Sequence, residues 1–67
     1  MKTIKFVEMS LYTLANLWND CRGDDGWIRE SDRRITDSIR VYVVSNRPDD
    51  MYRLDDLIIK NWNDRNN

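Results

Sequence analysis

Carboxylates stand in adjacent pairs at Asp24/Asp25, Asp49/Asp50 and Asp55/Asp56, and a single thiol, Cys21, sits in a chain that has no His. Paired acids do general acid–base work only where a deep cleft gives the two carboxyls different environments. A chain of 67 residues has little length from which to build one. Without His, no side chain titrates near neutrality unless its pKa is shifted far. Cys21 has no imidazole to activate it, so a packed thiol is the better reading than a nucleophile. A structural zinc site of the Cys/His type has one ligand on offer. Aligning Gly26 with the sixth position of a calcium-binding EF-hand loop puts Cys21 and Gly23 at the first and third ligand positions, and neither side chain carries oxygen. The Asp doublets suit helix caps and turns instead. The tripeptide Arg22-Gly23-Asp24 spells an integrin-type motif, but three residues recur by chance. The expectation is a protein that is not an enzyme and needs no cofactor or metal.

Binding is a better match to the residue types. Net charge is −1, yet eight of the eleven bases are Arg and ten of the twelve acids are Asp. Residues 28–47 sum to +2, residues 48–67 to −2, and the Gly23–Trp27 segment to −2. Arg offers a planar fork for carboxylate, phosphate or a stacked base, where Lys is a point charge. The candidate partner-binding residues are therefore Asp24, Asp25, Trp27, Arg29, Arg33, Arg34, Asp49 and Asp50. They admit three uses. Arg29, Arg33, Arg34 and Arg40 can meet nucleic-acid phosphates while Trp27 stacks on a base, against which stand the acidic pI of about 5.2 and the Asp residues interspersed in the Arg segment. The Asp clusters can imitate phosphates in a basic groove of a partner, although such mimics normally carry a larger acidic excess. Or the surface is an ordinary protein-binding one that uses Trp, Tyr and Arg. Many of these charges need no partner, since exposed ion pairs are worth little. Trp27 either stands out as an anchor or closes the core beneath its loop, the commoner fate of a large aromatic.

The elements that position these residues follow from periodicity. Ile4 and Phe6 alternate with Lys5 and Val7, which predicts a strand over about 3–8. Ser10 is a good N-cap, Met9 and Leu14 have the spacing of a hydrophobic staple, and Leu11, Leu14, Ala15, Trp18 and Cys21 form one apolar stripe. A helix is expected there, stopped by Gly23 in a left-handed conformation. Gly23–Gly26 reads as a tight acidic loop, and Arg29–Arg34 as a polar loop or edge. Ile39, Val41 and Val43 alternate with Arg40, Tyr42 and Val44, predicting a β-branched strand over about 38–45. Beyond it, Asn46–Asp50 reads as a turn before a short return strand at Met51–Leu54, with Asp55 capping a helix over about 56–64. The alternative starts one long helix at Pro48, with Asp49 and Asp50 at its positive end. The hairpin is preferred because Asp55 is a proper cap and Arg47 is a poor one. Leu57, Ile58 and Trp62 face the core in both, and Asn63–Asn67 fray.

The expected fold is α+β, a small single domain over residues 1–67 with the order β-α-β-(β)-α, in which two helices cover one face of a short antiparallel or mixed sheet. Hydrophobic burial barely exceeds ordering entropy at this length, so a tight core, a partner or a second copy, as in a homodimer, completes it. No apolar run is long enough to span a bilayer, and no targeting segment is legible in Met1–Glu8, which points to the cytoplasm and no membrane. In size and character the chain resembles the small single-domain proteins of phages and mobile elements, among them anti-CRISPR and other anti-defence inhibitors. The resemblance covers size and composition and includes no signature residues. It implies a protein that binds and obstructs a larger partner, such as a nucleic-acid-handling or defence complex.

Overall fold

Ser10 opens the first helix as its residue type dictates. In the computed structural model, which describes residues 5–67, its backbone is extended and its Oγ accepts from the Thr13 N–H at 3.1 Å. Helix α1 (Leu11–Asp20) follows, burying Leu11, Leu14 and Ala15 along one stripe. No left-handed glycine ends it. Cys21 caps the helix in the right-handed region, and the Cys21 and Arg22 N–H groups bond back three residues to Trp18 and Asn19. Among the described residues the one positive φ belongs to Gly26, at 84°, not to Gly23.

The described residues form helices joined by loops and no strand, and the expected sheet does not form. The first predicted strand begins at residues that lie outside the described ones, and Phe6–Glu8 is a 3-10 turn. The second predicted strand, 38–45, lies inside α2 (Arg33–Asn46), entered through a 3-10 turn at Glu30–Asp32. Ile39 and Val43 are four apart, with Thr36 three residues before Ile39, and these three are buried. That helical register competes with the period of two that the same residues carry. A helix pairs its own backbone groups, whereas a strand needs a neighbouring strand, and the described chain supplies none.

The return strand and the Asp55 cap are also absent. Pro48–Asp50 is a 3-10 turn leading directly into α3 (Met51–Arg65), so the long-helix alternative holds. Arg47, barred from helical geometry by the proline after it, has φ −141° and separates α2 from α3. It compensates with its side chain, Nε donating to Asp50 Oδ2 at 3.0 Å and Nη1 to the Met9 carbonyl at 3.4 Å. The C-terminal residues are tied down rather than frayed as far as Arg65, which pairs with Asp20 at 3.0 Å.

Leu11, Leu14, Ala15, Ile39, Val43, Leu54 and Ile58 form the core. Beside it runs a polar seam between α1 and α3. Asn19 is buried, its Nδ2 donating to the Ile58 carbonyl at 3.0 Å, and Asn61 donates to Asn16 Oδ1 at 3.2 Å. No buried side-chain polar atom among the described residues lacks a partner. The Cα atoms span 31 × 28 × 16 Å. A body this thin holds few residues away from both faces, and Tyr52, Ile59, Val41 and Val44 stay exposed. No described helix is long and apolar enough to cross a membrane.

Candidate functional site

The Gly-Asp-Asp-Gly-Trp segment is a closed, hydrogen-bonded loop between α1 and α2. Gly26 N–H donates to the Gly23 carbonyl at 3.0 Å, closing a turn over Asp24 and Asp25. Gly26 then takes the left-handed conformation, the arrangement that completes short hairpin loops. Gly23 N–H meets the Trp27 carbonyl at 2.8 Å, Arg29 N–H meets the Cys21 carbonyl at 2.9 Å, and Arg22 and Ile28 form a single antiparallel bridge. The Trp27 N–H donates to Asp25 Oδ1 at 3.0 Å. Five residues are thereby fixed by their own short side chains and backbone.

Helix α3 supports the loop from below. Arg22 Nη1 donates to the Gly26 carbonyl at 2.7 Å and Nε to Asn19 Oδ1 at 2.9 Å, with the guanidinium 5.0 Å from the centre of the Trp62 ring. Partial burial lowers the Arg22 pKa, but these acceptors and the aromatic face still suit the cation. A Cβ at Gly26 would lie 3.9 Å from the Trp62 ring, so the loop rests on that indole. Arg22, Gly26 and Trp62 were not among the residues picked out for binding. A turn beginning at Gly23 marks Gly26 as the glycine that goes left-handed, but forty residues separate Arg22 from Trp62 and no local pattern links them.

On this support Trp27 is 75% exposed and does not close the core beneath its loop. Gly23, Asp24, Asp25, Trp27, Ile28, Arg29 and Glu30 line an open groove of about 500 Å³. Four of the eight candidate residues therefore come together, and they do so on the acidic side. Arg29 is already engaged, donating to Asp32 and to the Asp20 carbonyl. Arg33 lies 3.8 Å from Glu30, and Arg40 lies 3.7 Å from Asp55 and over the Trp18 ring. Arg34 alone of this group has no carboxylate partner among the described residues, and it faces away on α2. Asp49 and Asp50 belong to the α2–α3 turn and do not line the groove; Asp50 is held by Arg47.

Cys21 is buried, its Sγ directed at the Leu17 carbonyl. Burial raises the thiol pKa, with Asp32 and Asp20 adding to the shift and Arg29 opposing it. A thiol held protonated is a poor nucleophile. Among the described residues no three Cys, Asp or Glu side chains are gathered to hold a metal ion. Compared with family models, with curated proteins and with solved structures, the chain matches none.

Proposed function

We propose that this chain is a small non-enzymatic binding protein that seats Trp27 in an apolar pocket with a basic rim on a larger protein and so obstructs it. One observation carries the reading: a tryptophan stands 75% exposed on a loop whose every turn is hydrogen-bonded. Keeping an indole in water forgoes roughly 2 kcal/mol of burial free energy, which a binding role recovers. A loop already ordered loses little entropy when it docks. Tryptophan is also among the residues that carry most interface energy when fully desolvated.

The loop's charge specifies the partner's chemistry. Asp24, Asp25 and Glu30 line the same groove as Trp27, while Arg29 is turned to Asp32. An aromatic plane flanked by carboxylates offers a partner the chemistry of a nucleobase flanked by phosphates. The fitting surface is thus a groove that ordinarily takes nucleic acid, on a nucleic-acid-handling protein. Direct nucleic-acid binding is the weaker reading, because Arg29, Arg33 and Arg40 already meet carboxylates and the acids beside Trp27 repel phosphate.

Affinity capture from native lysate tests this with the wild type, Trp27→Ala, and Asp24→Asn with Asp25→Asn. The expected result is a retained protein that salt releases, that the Asn pair weakens and that Trp27→Ala loses. Labelled DNA or RNA stays unshifted at the same protein concentration. A salt-sensitive shift of the nucleic acid, or retention indifferent to Trp27, overturns the proposal.

A further inference from the structure

We infer that the basic rim meeting the Trp27 loop supplies an arginine, whose guanidinium lies on one face of the Trp27 indole and pairs with Asp24 or Asp25. This names the partner's group at the site proposed above and rests on that reading. The chain builds the same arrangement twice within itself. Arg40 lies over the Trp18 ring, 5.2 Å from its centre, and reaches Asp55 at 3.7 Å. Arg65 lies 6.0 Å from the centre of the Trp62 ring and pairs with Asp20 at 3.0 Å. In each unit an indole face and a carboxylate share one guanidinium.

The Trp27 loop holds two of the three parts. Its indole is 75% exposed, and no guanidinium lies over it among the described residues. Asp24 and Asp25 line the same groove and have no ion-pair partner among the described residues. Asp25 Oδ1 accepts the Trp27 N–H at 3.0 Å, which fixes carboxylate beside indole before any ligand arrives. The neighbouring arginines are held elsewhere. Arg22 lies beneath the loop, bonded to the Gly26 carbonyl and Asn19, and Arg29 is bonded to Asp32 and the Asp20 carbonyl. The missing part must come from another molecule.

Its chemistry is that of arginine and not of lysine. A planar guanidinium can lie flat on an indole and still present N–H groups in its own plane to a carboxylate beside the ring. An ammonium is a compact, strongly hydrated point charge that gives up more water for the same contact. An anionic ligand is repelled by both aspartates.

Nα-acetyl-arginine amide, titrated into the isotope-labelled chain at constant ionic strength, tests this by NMR. The Trp27 indole N–H and the Gly26 amide should shift saturably, with a dissociation constant on the order of 10 mM. The indole signals of Trp18 and Trp62, already covered by Arg40 and Arg22, should stay in place. Nα-acetyl-lysine amide should bind at least about threefold more weakly. Trp27→Ala should abolish the Gly26 shift, and Asp24→Asn with Asp25→Asn should weaken it about fivefold. Unchanged signals from the rest of the chain check that these variants keep the fold. No saturable shift, equal binding of the lysine compound, or a Gly26 shift that survives Trp27→Ala overturns the inference. If lysate capture still depends on Trp27 in that case, the arginine alone is wrong. Capture indifferent to Trp27 instead overturns the reading on which the partner's arginine rests, whatever the titration shows.

Discussion

The α1–α3 seam and the outer face of α2 both mix polar with aliphatic side chains, yet they treat the mixture in opposite ways. In the seam, Asn16, Asn19, Asn61 and Arg65 reach partners on the facing helix, and Leu14 and Leu54 are sealed beside them. On α2, Val41 and Val44 remain in water, and Arg34 and Asp37 have no ionic partner within the described chain. A polar group closed off from water must be paired inside the chain, whereas an exposed one can wait for another molecule. The first surface specifies the fold and the second is left in contact with water.

Substitutions should rank the two surfaces by cost. Leu14→Ala removes a side chain with no solvent exposure and should cost about 2–5 kcal/mol, read from the denaturant midpoint. A domain of this length has roughly 3–10 kcal/mol in total, so this variant should be close to unfolding at ambient temperature. Asn19→Ala should cost about 1–3 kcal/mol, because it takes the partner from both Arg22 Nε and the Ile58 carbonyl. It should also loosen the Trp27 loop, seen as faster amide exchange at Gly23 and Trp27. Val41→Ala, at a side chain 63% exposed, should change stability by no more than about 0.5 kcal/mol. A large loss there would mean that α2 depends on its outer face for folding, and the contrast would collapse.

The weakest expected effect is one of pH. The Cys21 thiol is held above its ordinary pKa, so the folded chain keeps its proton where the unfolded chain gives it up. Its stabilising contribution is complete below the ordinary thiol range and is lost as pH rises through the raised value. Denaturant midpoints taken between about pH 7 and 10 should fall less steeply in Cys21→Ala than in the wild type.

Helix α1 was legible because its cap and its stripe are local: Ser10, Leu11, Leu14 and Ala15 behave as their spacing requires. The α2 segment was not, since Ile39, Val41 and Val43 satisfy a period of two as well as Ile35, Ile39 and Val43 satisfy one near four. Strand propensity in β-branched residues reflects a fit to neighbours across a sheet, and with no such neighbour it favours nothing. The acidic loop was placed correctly while Trp27 was harder to read, because burial depends on what lies beneath. Trp62, brought there by α3, and Arg22, two residues past the end of α1, occupy that place. Of the eight candidate binding residues, Asp24, Asp25, Trp27 and Arg29 share a groove because they are neighbours in sequence. Asp49 and Asp50 looked equivalent only as composition.

What the amino-acid sequence determined by itself is what rests on residue type and near neighbours. That covers a thiol with no imidazole, turns at the Asp24/Asp25 and Asp49/Asp50 pairs but not at Asp55/Asp56, a capped amphipathic first helix, and charge segregated under a neutral sum. What only the tertiary structure decided is which of two periodicities α2 obeys, which arginines pair across helices, and which tryptophan faces water. The reason is one of range. Caps, turns and the Arg29–Asp32, Glu30–Arg33 and Arg47–Asp50 pairs are closed by atoms within four residues, whereas burial and the Arg40–Asp55 and Asp20–Arg65 pairs are settled by groups on another helix.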